Sequence, residues 1–435
     1  MQHGKLKMGL ATAGTIAVSL TLAAQPAFAD YAPVARDVVG VGSDTVQYAS
    51  DFVADGDFLG DGGYNTLGNR YKVINFDATP DANARLAYGP NGVGTGQCSP
   101  GDGATAGTGN NTTSHADQPC TLNPTVVLQA GLNPVQRPNG SGGGAKALLG
   151  DTRHLIDYSR ASSAQGATLG AAFDSITVGS DPLAMLTAST SNAVPLSATQ
   201  LNLIYACTDT TWASVGASGA GSSDTIIPII PQIGSGTRSS FLTAIHNPTL
   251  GGCVKTAEEN DPTAIAAQTT PADAIEPMSG GRLNLYLGKL GNGASNRVGG
   301  YFKDPSCPLQ TTTGACAPAS NTITPAVKLV TTGTPTACGA DCTLFDVSRP
   351  LYIYFRSADV TSATPFQPGG KLNWVRTLLY NPCPDNPPVA GDGCTNVGGT
   401  EFGKGGAPYY DTAAGQALIS AAGIAPTYAV TLGGP

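Results

Sequence analysis

The sequence predicts an α/β protein built as two lobes, and three observations carry that prediction. Short β-branched clusters recur along the chain, stretches of helical character lie between them, and 435 residues are too many for one ordinary core.

At the start of the chain, Lys5 and Lys7 precede an apolar run over residues 8–24 that ends in Ala27-Phe28-Ala29. This is the pattern of a secretory signal peptide over residues 1–29, cleaved before Asp30. The run is short and weakly apolar for a membrane span, and no later stretch is apolar enough to be one. No Cys follows it, so no lipid anchor is evident, and a secreted, extracellular or periplasmic protein is expected. Removing two Lys and no acid takes the net charge from −8 to −10, which argues against nucleic acid or an anionic membrane as partner.

Strand-length clusters follow at residues 37–42, 71–76, 155–158, 225–230 and 351–355. Helix-like segments fall at 145–149, 197–207, 239–246 and 412–422, and this alternation favours α/β over an all-β sandwich. The stretch 89–111 is nearly all Gly, Thr, Asn, Ser and Pro and reads as a surface excursion. Ten cysteines form an even set: Cys98, Cys120, Cys207, Cys253, Cys307, Cys316, Cys338, Cys342, Cys383 and Cys394. In an exported chain they read as disulfides paired with their neighbours, Cys98 with Cys120, Cys207 with Cys253 and so on, rather than as metal ligands.

The chemistry concentrates in three Gly/Ser/Thr turns beside predicted strands and helices. These are Gly42-Ser43-Asp44-Thr45, Gly140-Ser141-Gly142-Gly143-Gly144-Ala145-Lys146 and Gly234-Ser235-Gly236-Thr237-Arg238. A turn of this composition at a helix start presents unpaired backbone N–H groups, hydroxyls and the positive end of the helix dipole, which together suit an anion. No Gly-x-Ser-x-Gly elbow, His-Glu-x-x-His or phosphate-loop lysine accompanies them, and neither a catalytic residue, a metal nor a cofactor is expected.

In their order along the chain these segments resemble the phosphate-binding periplasmic solute-binding family, the receptor subunits of phosphate ABC importers. The stretch from Gly40 to Thr45 looks like its opening anion loop and Gly140 to Lys146 like its second. Ile156-Asp157-Tyr158-Ser159-Arg160-Ala161-Ser162-Ser163 is similar to the strand end that follows. Leu196-Ser197-Ala198-Thr199-Gln200-Leu201 with Trp212 resembles the second-lobe helix, Gly234-Ser235-Gly236-Thr237 the third loop, and Arg349-Pro350-Leu351-Tyr352 the returning strand.

The resemblance implies a class II two-lobe fold with the cleft between lobes, residues 30–185 plus 347–435 forming the first lobe and 186–346 the second. It implies a monomer that binds inorganic phosphate or a similar oxyanion for an ABC permease. The implied contacts are Ser43, Thr45, Ser141, Gly142, Ser162, Ser235, Gly236 and Thr237, with Arg160 and Arg238 supplying charge. Two departures bear on the ligand. The family's proton-accepting carboxylate has no counterpart beside Ser162 and Ser163, and its third-loop Arg corresponds to Pro231. Asp44 is a candidate acceptor, with a helix cap as its alternative, and Arg238 a candidate replacement cation. A secreted phosphatase and a non-transport surface protein are the rival classes.

Overall fold

The computed structural model describes residues 33–57, 61–69, 71–76, 78, 125–133, 135–287, 326–361, 374–380 and 407–433. The expected signal peptide, the excursion at 89–111, and Cys98, Cys120, Cys307, Cys316, Cys383 and Cys394 lie outside these residues.

The described strands are β1 (Val38–Gly42), β2 (Val73–Asn75), β3 (Thr125–Val126), β4 (Val135–Gln136), β5 (Tyr158–Ala161), β6 (Phe173–Ala188), β7 (Ile227–Pro231), β8 (Lys255–Ala257), β9 (Ala274–Ser279), β10 (Val327–Val330), β11 (Asp346–Arg356) and β12 (Ala425–Thr431). The main sheet runs β2-β1-β5-β11-β6-β9-β7-β8, with β10 and β12 also paired to β6. Its two flanks are parallel packets, β2-β1-β5 and β9-β7-β8. Between them β6 and β11 form an antiparallel ribbon that pairs with β5 on one side and β9 on the other. Each packet with its helices is one lobe of the α/β two-lobe fold.

The pattern of β1 shows why a parallel packet forms. Val38 packs into one apolar cluster while Val39 and Val41 pack into another on the opposite face, so the strand is buried on both sides, as parallel strands are. In the other lobe Leu201, Ile204, Trp212, Phe241 and Ile275 share a third cluster.

The ribbon is where the sequence reads poorly. Gly179-Ser180-Asp181-Pro182 looks like a turn, yet these residues lie inside the 16-residue β6. The lobe boundary expected at 185/186 falls within that strand, and the one at 346/347 at the start of β11.

Helices begin earlier than propensity suggests. The segment at 239–246 becomes a helix Gly236–Ala244, and that at 145–149 becomes Gly140–Gly150, because both start inside the glycine turns. The cluster at 155–158 shifts to β5, Tyr158–Ala161. By contrast, Ala198–Tyr205 starts where its capping box dictates: Ser197 Oγ accepts from the Gln200 amide (3.3 Å) and Gln200 Oε1 from the Ser197 amide (3.0 Å). Two disulfides join neighbours as expected, Cys207–Cys253 and Cys338–Cys342. Among the described residues no helix is long and apolar enough to cross a membrane.

Candidate anion site

Both parallel packets aim the carboxyl ends of their strands at one place, the position where open α/β sheets bind ligands. From the first lobe, β1 runs into Ser43 and β5 into Ser162, and the helix Gly140–Gly150 brings Ser141 beside them. From the second, β7 leads to Ser235, Gly236 and Thr237, β8 to Glu258, Glu259 and Asn260, and β9 to Ser279. Three helices of eight residues or more start here, Asp44–Asp55, Gly140–Gly150 and Gly236–Ala244.

The glycine immediately before each loop serine holds a positive φ, 110° at Gly42, 74° at Gly140 and 89° at Gly234. A side chain there would be strained, and the turn could not aim the following hydroxyl inward. Gly236 is needed for a second reason: a Cβ on it would lie 2.2 Å from Ser141 Oγ and 2.3 Å from Ser162 Oγ.

The hydroxyls therefore meet. Ser43 Oγ donates to Ser162 Oγ (3.2 Å), Ser141 Oγ accepts from the Ser162 amide (2.9 Å), and Thr45 Oγ1 lies 3.3 Å from Thr237 Oγ1 across the lobes. All five side chains are buried. Asp44 sits beside them but is the first helical residue, with Ser43 at the cap position, so the capping alternative does not hold. Its carboxylate instead accepts from Arg282 Nη2 (2.9 Å) and Asn260 Nδ2 (3.1 Å), both from the second lobe.

The remaining residues singled out in the sequence are committed elsewhere. Ser235 Oγ accepts from the Arg238 amide (3.0 Å) as a helix cap, and the Gly142 amide donates to Gly234 O (3.0 Å). Arg160 directs Nη1 to Asn75 Oδ1 (3.1 Å) and Nη2 to Phe76 O (2.6 Å). Arg238 Nη1 donates to Pro231 O (2.9 Å), and burial lowers its pKa.

With this geometry, one match decides the family. The sequence model of the PBP superfamily domain matches residues 96–366, well over half of the chain. The chain belongs to the PBP superfamily. Among solved structures, this PBP-superfamily chain is similar to a Clostridium perfringens protein assigned to phosphate ABC transport and holding bound phosphate, with 12% identity over 90% of this chain and 99% of that one, TM-score 0.44. It is similar to an ABC-type phosphate transport receptor from Vibrio cholerae at 14% identity, covering 74% and 87%, TM-score 0.37. It is also similar to PstS from Borrelia burgdorferi at 13%, covering 74% and 87%, TM-score 0.33. No curated protein matches.

In this PBP-superfamily chain several residues at the cluster were not among the sequence candidates. Arg349, from β11, donates Nη2 to Thr45 Oγ1 (3.3 Å) while forming a buried pair with Asp181 (2.9 Å). Asp181 also accepts from Ser279 Oγ (2.7 Å) and the Gly281 amide (3.3 Å). The positive charge beside the hydroxyls is thus held by Arg349, which the sequence displays only as the start of a strand. Glu258 and Glu259 are fully buried at the centre. Glu-Glu-Asn-Asp-Pro over residues 258–262 reads as an exposed turn, and only the register that sets Ala257 opposite Pro231 brings it inward.

Proposed function

We propose that this protein is an exported solute-binding protein that grips phosphate or a related tetrahedral oxyanion between its lobes and delivers it to an ABC permease. The observation that carries the reading is the meeting of Ser43, Thr45, Ser141, Ser162 and Thr237, drawn from both lobes, at the starts of three helices. A tetrahedral anion presents several oxygens to such converging donors, and helix starts favour negative charge. Arg349 adds a cation whose charge is partly balanced by Asp181.

Binding rather than turnover is favoured because the described histidines, His154 and His246, are exposed while the cluster is buried. The lobes are assigned as residues 30–185 plus 347–435 and 186–346, β6 and β11 being shared between them. An oxyanion of five heavy atoms, at the ceiling of about −1.5 kcal/mol per atom, binds with a dissociation constant of order micromolar.

The test is titration calorimetry with phosphate on the wild type and on Ser141→Ala combined with Thr237→Ala. The wild type is expected to bind and the double variant to lose binding while still melting cooperatively. Equal affinity in the two would remove these loops from the site.

A further inference from the structure

We propose that Glu259 is a tethered anion that competes with free oxyanion for the loop donors and so sets the affinity of the site; this rests on the oxyanion reading above. A single carboxylate oxygen, Glu259 Oε1, accepts from Thr237 Oγ1 (2.6 Å), Thr45 Oγ1 (3.0 Å), the Thr237 amide (3.2 Å) and Ser162 Oγ (3.5 Å). These are hydroxyls from three segments of both lobes, together with an N–H from the first turn of the helix Gly236–Ala244. That is the donor set an oxyanion would need, and the chain's own anion already engages it.

Proton accounting sharpens the conflict. Thr45 Oγ1 accepts from Asn260 Nδ2 (3.1 Å) and Arg349 Nη2 (3.3 Å), so its one hydroxyl proton is the one aimed at Glu259. Thr237 likewise has one hydroxyl proton and one amide proton, and both point at Glu259. A free anion taking these protons removes them from the carboxylate, and two negative charges side by side in a buried site repel.

Glu259 is also held in place from behind. Its amide donates to Gln232 Oε1 (2.7 Å), and the adjacent Glu258 Oε1 accepts from Asn139 Nδ2 (3.1 Å) and Gln232 Nε2 (3.0 Å). The carboxylate spans the lobes as a ligand would, from Thr237 on one to Thr45 on the other. Entry of an oxyanion then requires Glu259 to leave the loops.

The experiment is titration of the full chain, the Glu259→Gln variant and the Glu259→Ala variant with inorganic phosphate and, separately, sulfate. Replacing a charge-assisted acceptor that must be displaced is expected to tighten binding of both anions by roughly tenfold or more. Wild-type binding that is equal to or tighter than that of the variants overturns the competition and leaves the phosphate reading intact. Variants that take sulfate while no form takes phosphate keep the competition and end the phosphate reading. Absence of binding of either anion by any form ends both. Should the variants fail to melt cooperatively, a crystal structure of the wild type with saturating phosphate decides: Glu259 displaced from Thr237 supports the proposal, and Glu259 still on Thr45 and Thr237 beside the bound anion overturns it.

Discussion

Two regions of the molecule, the strand ends and the interior of β9, handle buried charge in opposite ways. At the strand ends the buried carboxylates meet cations, hydroxyls or amides: Asp44 on Arg282, Asp181 on Arg349, Glu259 among Thr45 and Thr237, Glu258 on Asn139 and Gln232. In the middle of β9, only a few residues from the site, Glu276 is fully buried and neither carboxyl oxygen has a hydrogen-bond partner among the described residues. Burial pushes its pKa well above the usual carboxylate range, and the charge on Asp261 pushes it further. The strand end thus surrounds its carboxylates with donors, whereas the strand interior leaves Glu276 without a hydrogen-bond partner among the described residues, and burial there resists its ionisation. The partners within reach, at similar depth, decide which happens.

The contrast is sharpened most by breaking a pair. Arg349→Met leaves the Asp181 charge buried with only neutral donors, and this is expected to cost about 3–5 kcal/mol, read as a lower urea midpoint in phosphate-free buffer. A midpoint unchanged from wild type would mean that this cross-strand pair carries no such share of the stability.

Glu276→Gln should act in the reverse direction and more weakly. With its folded pKa raised, Glu276 contributes its full share of stability below about the ordinary value of 4.5. That share is lost as pH rises, since the unfolded chain ionises while the folded one resists. The Gln variant is therefore expected to gain about 1 kcal/mol over wild type at neutral pH and nothing at pH near 4. Melting curves across that range check it, and a gain that grows toward acid would contradict the assignment.

How much of this was legible in the sequence depends on whether the cause is local. Gly42, Gly140 and Gly234 announce their turns because the strain they relieve is local, so the three loops could be read directly, although the helices that begin inside them were placed too late or, for Asp44–Asp55, not placed as a segment. The capping box at Ser197 and Gln200 is local in the same sense, and the helix-like segment at 197–207 is met by the helix Ala198–Tyr205. The partners of the charges were not legible. Arg349 meets Asp181 from 168 positions away and Thr45 from 304. Glu259 reaches Thr45 across 214 positions, and nothing in its own neighbourhood distinguishes it from an exposed turn acid.

Arg160 shows the converse error of reach. Its position at the end of β5, opposite Gly42, is close in sequence to Ser162, but its guanidinium is taken up by Asn75 Oδ1 and Phe76 O at the end of β2. The long β6 was obscured by Asp181 and Pro182, turn formers in most settings, which here sit in a ribbon paired to β11 and, from Leu183 onward, to β9.

The central claim is that serines and threonines from both lobes surround one oxyanion, and arsenate locates that oxyanion directly. Crystals of the protein grown with arsenate, measured at the arsenic absorption edge, should show one anomalous peak within hydrogen-bond distance of Thr45, Ser141 and Thr237. A peak elsewhere on the molecule, or none at saturating arsenate, would contradict the account.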